Sequence, residues 1–86
     1  MKVRVGSVLF EYTGNRPEVE ARGATLGALL LDLDRRHPGL RFRVVDEQDR
    51  IRAHMNVFVA GRRARDLGTR IGSDDEVHIL QAISGG

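Results

Sequence analysis

The chain has 86 residues, of which 41% are hydrophobic and 30% charged, and its formal net charge is +2. A chain of this length makes one domain, which is too small for a spacious internal active site. It contains no cysteine, which excludes disulfides, thiolate metal ligands and thiol nucleophiles. The apolar runs are too short for a membrane helix, and the first residues show no signal-peptide pattern. We therefore expect a cytoplasmic domain with no membrane partner.

The first residues predict a hairpin. Residues 2–5 alternate between charged and apolar side chains with the period of a strand. Residues 8–12 fit a strand or a loop. A turn-rich segment at 13–17 precedes a second alternating stretch at 18–21, which we expect to pair with the first.

One helix is predicted strongly. Thr25 is a good N-cap, because its hydroxyl can accept a hydrogen bond from the first helical turn. Leucines then occupy positions i, i+3, i+4 and i+7 of one helical face: Leu26, Leu29, Leu30 and Leu33. The helix should end at His37, since Pro38 disfavours helical geometry in the residue before it.

The second half of the chain predicts two further strands. Residues 40–45 are ambiguous, and residues 46–50 read as an exposed polar loop. Residues 55–60 have the β-branched and aromatic content of a central strand. After an irregular stretch and an acidic turn, residues 76–80 give the last strand.

The order of these elements has too few helices for a doubly wound parallel sheet. We predict an α+β fold, with a mixed sheet of four to five strands and one main helix on one face. Residues 1–80 would form the domain and residues 81–86 a flexible reactive tail, because the apolar pattern ends at Leu80. The other face of the sheet is left to solvent or to a partner.

The sequence ends in Gly85-Gly86 directly after this last strand. Glycine has no side chain to obstruct entry into a narrow site of another protein. A carboxylate is a poor electrophile, so a reactive chain end would need activation, typically as an acyl-adenylate. The sequence has no phosphate-binding loop, so a partner would have to bind the ATP.

The chain resembles the bacterial sulfur-carrier family. This family includes the small subunit of molybdopterin synthase, the thiazole sulfur carrier and the carriers of cysteine biosynthesis. The resemblance rests mainly on residues 80–86, and residues 23–27, 55–59 and 75–77 add to it. Its most diagnostic part is the Gly-Gly ending.

The resemblance implies a ubiquitin-like β-grasp fold and a carrier that is not itself an enzyme. An E1-like enzyme, using ATP and Mg, would adenylate the Gly86 carboxylate, and a sulfur donor would convert it to a thiocarboxylate. A sulfur-accepting synthase would then receive the sulfur for cysteine, molybdopterin or thiamine. The segment that threads the partner's site would be Ala82, Ile83, Ser84 and Gly85.

The sequence departs from the family pattern at two places. The usual Asp-Gly-Asp-Glu turn is Ser-Asp-Asp-Glu at 73–76, and Gln81 replaces the proline often found after the last strand. These changes bear on the pathway rather than on the reactive end. The length and the ending are most similar to the cysteine-biosynthesis carriers.

Strand alternation predicts a partner-binding face on the open side of the sheet. Phe58, His78 and Leu80 should point away from the helix. Their neighbours along the two strands should point into the core: Val57, Val59, Val77 and Ile79. An exposed apolar patch with a polar rim usually marks a binding site.

Other kinds of site receive less support from the sequence. The three histidines have no metal-ligand spacing, so no metal site is expected. The acidic residues at 74–76 read as a solvated turn. The basic run of Arg62, Arg63 and Arg65 suits either a solvated surface or an acidic patch of a partner. It lacks interleaved aromatics, and we expect no nucleic-acid partner.

Two alternatives remain open. A ubiquitin-like protein modifier would use the same activation of Gly86 but form an isopeptide bond to a lysine. A noncovalent β-grasp interaction module would not use Gly86 at all, because fold alone does not fix function.

Overall fold

The fold is a five-stranded mixed sheet with one long helix packed on one face. The computed structural model describes residues 1–82. Its strands are β1 (Lys2–Val5), β2 (Glu18–Glu20), β3 (Met55–Val59), β4 (Arg62–Arg63) and β5 (Val77–Gln81). They lie in the order β2-β1-β5-β3-β4, with β1 and β5 parallel and the other neighbours antiparallel. This topology confirms the β-grasp expectation.

The long helix α2 (Leu26–Arg36) agrees with the prediction at both ends. The Thr25 hydroxyl accepts a hydrogen bond from the Ala28 amide at 3.2 Å, and His37 is the C-cap. The four predicted leucines are fully buried against the sheet. None of the helices within residues 1–82 has the length and apolar character needed to cross a bilayer.

Two segments left open by the sequence are helical. Residues 8–12 fall in a 3-10 turn (Ser7–Leu9) and a short helix α1 (Phe10–Thr13), so both a strand and a loop are wrong there. Leu9 is fully buried, which explains why this connection folds back onto the core. The ambiguous segment at 40–45 contains helix α3 (Leu40–Val44).

Strand β4 was not predicted, because it is only two residues long and both are exposed arginines. It follows β3 through a tight turn in which Ala60 and Gly61 both have positive φ. A two-residue hairpin of type I′ requires this conformation at both positions. Strand β3 is therefore an interior strand, whereas the middle of the sheet is β5.

The irregular stretch after β4 is tied to the start of α2. The Leu26 amide donates to the Thr69 carbonyl and the Gly27 amide to the Leu67 carbonyl, both at 2.9 Å. The first amides of a helix have no partner within the helix itself. Here the chain segment at 67–69 satisfies them.

A buried carboxylate joins the end of the β2 hairpin to α2. Asp32 accepts hydrogen bonds from the Arg22 amide at 2.8 Å, from Arg36 Nε at 2.9 Å and from Arg35. Next to it, Gly23 passes so close to the helix that an added Cβ would lie 2.3 Å from the Leu29 nitrogen. The Arg35 hydrogen bond, followed by that from the Arg22 amide, lowers the pKa of Asp32 from 3.8 to about 2.

We predict that this carboxylate stabilises the fold above pH 4 and loses that effect as the pH falls. Its pKa is lower in the folded chain than the ordinary value of 3.8, so the unfolded chain binds its proton first. The denaturant concentration at the unfolding midpoint should decrease as the pH is lowered from about 4 to about 2. At pH 7, Asp32→Asn should have a lower midpoint than wild type.

The matched control is Glu47→Gln, which removes one negative charge from an exposed loop position. Its midpoint should stay close to that of wild type at about pH 7 and at about pH 2. A gap between wild type and Asp32→Asn that stays constant down to pH 2 would contradict the assignment.

Candidate functional site

The candidate site is built around β5, because the predicted reactive residues follow this strand in the sequence. β5 pairs with β1 from Val3↔Val77 to Val5↔Ile79. On its other side it pairs with β3 along its whole length, ending at Met55↔Gln81. Its backbone is therefore hydrogen-bonded on both sides in the middle of the sheet.

The hydrogen-bonded region extends past the predicted domain boundary at residue 80. Gln81 belongs to β5, and the Ala82 amide donates to the His54 carbonyl at 2.7 Å. Ala82 is half-buried. The other predicted tail residues, Ile83, Ser84, Gly85 and Gly86, lie outside the described residues.

The predicted partner-face residues come together on the side of the sheet opposite α2. Phe58 lies directly opposite His78 across β3 and β5. Leu80 is two residues beyond His78 on the same face, diagonal to Phe58, at a spacing that large side chains can bridge. The alternate residues Val57 and Ile79 are fully buried.

Charged side chains surround this face. A row crosses the sheet from Glu18 through Arg4, His78 and Phe58 to Arg63. Phe58 and Leu80 are each half-buried. The two together make a small apolar centre that cationic side chains flank.

The most exposed large apolar side chains lie elsewhere. Leu31 on α2 is 62% exposed and Phe42 on α3 is 54% exposed. Leu31 falls outside the leucine spacing of the buried helix face, which is a signal the sequence did contain. Phe42 had no such signal, because its segment could not be assigned to an element.

The acidic residues before β5 form a turn rather than a catalytic pair. The Asp75 carboxylate accepts a hydrogen bond from the Gly72 amide at 2.7 Å, and the Asp75 amide donates to the Gly72 carbonyl at 3.0 Å. Glu76 forms an ion pair with Arg4 at 3.7 Å. Within residues 1–82, no three histidine or carboxylate side chains converge as a metal site would require.

This topology, with its final strand held in the sheet centre, defines a ubiquitin-like β-grasp protein. The comparison with family models gives the family. The chain belongs to the ThiS family, whose model matches residues 3–86.

Individual relatives agree with this membership. The sulfur carrier protein CysO of Mycobacterium tuberculosis is 34% identical over 89 residues, which cover 98% of this chain and 96% of the relative. A chain in the crystal structure of the Amycolatopsis orientalis BexX/CysO complex superposes with a TM-score of 0.90 at 31% identity, over 99% of this chain and 98% of that one. The small archaeal modifier protein 1 of Methanosarcina acetivorans has a TM-score of 0.81 at 28% identity, over 99% and 94%.

Family membership and the similarity to CysO support a sulfur carrier role for this chain. Proteins of this kind act as carriers rather than as catalysts. Such a carrier works together with partner enzymes.

Truncating two adjacent residues of β5 should show which of them faces the core and which faces the open side of the sheet. Ile79 is fully buried, so Ile79→Ala should lower the free energy of unfolding by about 2–5 kcal/mol. Leu80 is half-buried on the other face, so Leu80→Ala should cost about 1 kcal/mol or less. Urea unfolding followed by circular dichroism checks both, and equal losses would show that the two faces are assigned wrongly.

Proposed function

We propose that the Gly86 carboxylate of this chain is the group that carries sulfur. One carboxylate oxygen attacks the α-phosphorus of ATP, the bond to the β-phosphate breaks, and pyrophosphate leaves. ATP and Mg²⁺ are bound by an E1-like partner enzyme. The product is an acyl-adenylate, whose carbonyl carbon is a far better electrophile than that of a carboxylate.

In the second step hydrosulfide, supplied by a donor at the sulfide oxidation level, attacks this carbonyl carbon, the bond to the adenylate oxygen breaks and AMP leaves. Gly86 then ends in a thiocarboxylate, with no change in the oxidation state of the sulfur. The thiocarboxylate sulfur next displaces a leaving group from a substrate held by a sulfur-accepting synthase, and hydrolysis of the resulting thioester returns the Gly86 carboxylate and leaves the sulfur on the product. The likeness of the chain's ending to the carriers of cysteine biosynthesis favours that pathway over molybdopterin or thiamine.

The observation that carries this proposal is the anchoring of the chain in the sheet just before the proposed reactive residues. β5 is hydrogen-bonded on both sides, and the last described contact is from the Ala82 amide to His54. A tail that starts from a fixed point has a maximum reach set by its number of residues, which limits how far a partner's reaction site can lie from the docking face. The family match, which extends to Gly86, also supports the proposal.

The sharpest test keeps the sequence intact and changes only the reactive group. A semisynthetic chain ending in a Gly86 carboxamide should release no pyrophosphate with the E1-like enzyme and Mg-ATP. The same semisynthetic chain with a free carboxylate is the control and should be active. Undiminished pyrophosphate release from the carboxamide would refute the proposal. After a sulfur donor is added to the reaction, the intact mass of the carboxylate chain should show one oxygen replaced by sulfur.

We further propose that Phe58, His78 and Leu80 contact the partner enzymes. Leu80→Ala or Phe58→Ala should weaken the complex by about 2 kcal/mol or more, the scale of a buried anchor residue. The matched control is Leu31→Ala, which truncates a more exposed leucine on the helix face. Calorimetric titration measures both, and an equal effect of Leu31→Ala and Leu80→Ala would count against this face.

The similarity to small archaeal modifier protein 1 favours a second candidate function, in which Gly86 becomes joined to lysines of other proteins. The activation step would be the same, so the pyrophosphate assay does not separate the two. Mass spectrometry of the chain recovered from its own cells does. A carrier yields the free thiocarboxylate, whereas a modifier yields branched peptides that contain its last residues.

A further inference from the structure

Three arginines border a small groove beside strand β4. The groove has a volume of about 190 Å³ and is lined by Arg52, Arg63 and Arg65 together with Ala53 and Met55, among others. Sites for drug-sized ligands usually measure about 300–1,000 Å³, so this groove suits a single side-chain group better than a small molecule.

Two of the three cations of this groove have no carboxylate partner in the described part of the fold. Within residues 1–82, the side chains of Arg63 and Arg65 take part in no ion pair. Arg52 differs, because its charge helps to lower the pKa of Asp46. The other half of the same sheet differs, because there Arg4 pairs with Glu76. The sheet is therefore neutralised on the β1 side and left positive on the β4 side.

Arg52 is held in place without losing its charge. Its Nε donates to the Phe42 carbonyl at 2.8 Å, and its guanidinium lies 4.7 Å from the centre of the Phe42 ring. The ring face attracts a cation and restricts its motion. An arginine ordered in this way loses less conformational entropy when it binds a carboxylate.

The groove lies at the end of the sheet where β5 ends. Met55 lines the groove and pairs with Gln81, and Ala53 precedes His54, whose carbonyl holds Ala82. Two strand spacings separate β5 from β4, a distance of about 10 Å. A protein that takes up the tail therefore also approaches this groove.

We propose that the groove receives an acidic side chain of the E1-like enzyme, next to the opening through which the tail enters. This proposal rests on the function proposed above. The guanidinium fork matches a carboxylate in shape and charge. Nucleic acid is a poorer fit, because Arg52 covers a face of Phe42 that a base would need for stacking.

Kinetics with the activating enzyme test the proposal. Arg65→Glu should raise the KM for this chain in ATP–pyrophosphate exchange about fivefold or more at low salt, because an attraction becomes a repulsion. The kcat should change little, since Gly86 itself is unaltered. At about 1 M salt, where charges are screened beyond about 3 Å, the difference from wild type should largely disappear.

The matched control is Arg16→Glu. It makes the same change in net charge in the loop before β2, the opposite edge strand. Its KM should stay within about twofold of wild type. Equal effects of Arg16→Glu and Arg65→Glu would overturn the proposal, because they would reflect net charge alone. Arg65→Lys, which keeps the charge and loses the fork, should fall between wild type and Arg65→Glu.

A second measurement separates failure of the groove from failure of the proposed function. If the wild-type chain supports no exchange, the proposed function fails. Titration with a short oligoglutamate peptide then tests whether the groove binds carboxylates. The amide signals of Met55 and Ala64 should shift with the peptide in wild type and not in Arg65→Glu. No shift, or a stronger response to an oligodeoxythymidylate of equal charge, would overturn the acidic-protein assignment.

Discussion

The structure depends on the hydrogen bonding of β5 to two neighbours at once. Its partners are β1, from the start of the chain, and β3, from the middle, so the last strand joins segments far apart in sequence. An edge strand would leave one side of its backbone unpaired and open to fraying or to pairing with another chain. Here the last described residues, Gln81 and Ala82, are tied to Met55 and His54, so the residues that precede the proposed reactive end are anchored in the sheet.

Strand alternation places successive residues of one strand in the core and on the open face, which we propose as the docking face. On β5, Val77 and Ile79 are fully buried while His78 lies exposed on the other face. The charge of the open face also differs between its two sides. On the β1 side Arg4 is paired with Glu76, whereas on the β4 side Arg63 forms no ion pair within residues 1–82. Charge asymmetry of this kind contributes mainly to the rate and orientation of docking, and less to its final affinity.

Local signals were enough to predict some elements and not others. Helix α2 was predictable, because Thr25 and the leucine spacing lie within the helix and its cap. Helix α3 was not predictable, because no side chain at its own N-cap marks where it begins. Asp34, in the preceding helix, instead accepts hydrogen bonds from the Gly39 and Arg41 amides at 3.1 and 3.2 Å. The partner-face residues followed from alternation alone. The groove did not, since Arg52 reaches it from a segment separate in sequence from Arg63 and Arg65.

The helix side of the sheet and its open face differ in how far their polar groups are paired within the fold. Asp32 binds the Arg22 amide, and the segment at 67–69 binds the first amides of α2, so these polar groups are used inside the fold. Groups already paired have little to offer a partner, because a new contact would first have to break the old one. The half-buried apolar centre of the sheet has no such cost, and neither do Arg63 and Arg65, which form no ion pair within residues 1–82. Changes in the helix layer should thus alter how much protein is folded, whereas changes on the open face should alter what the folded protein binds.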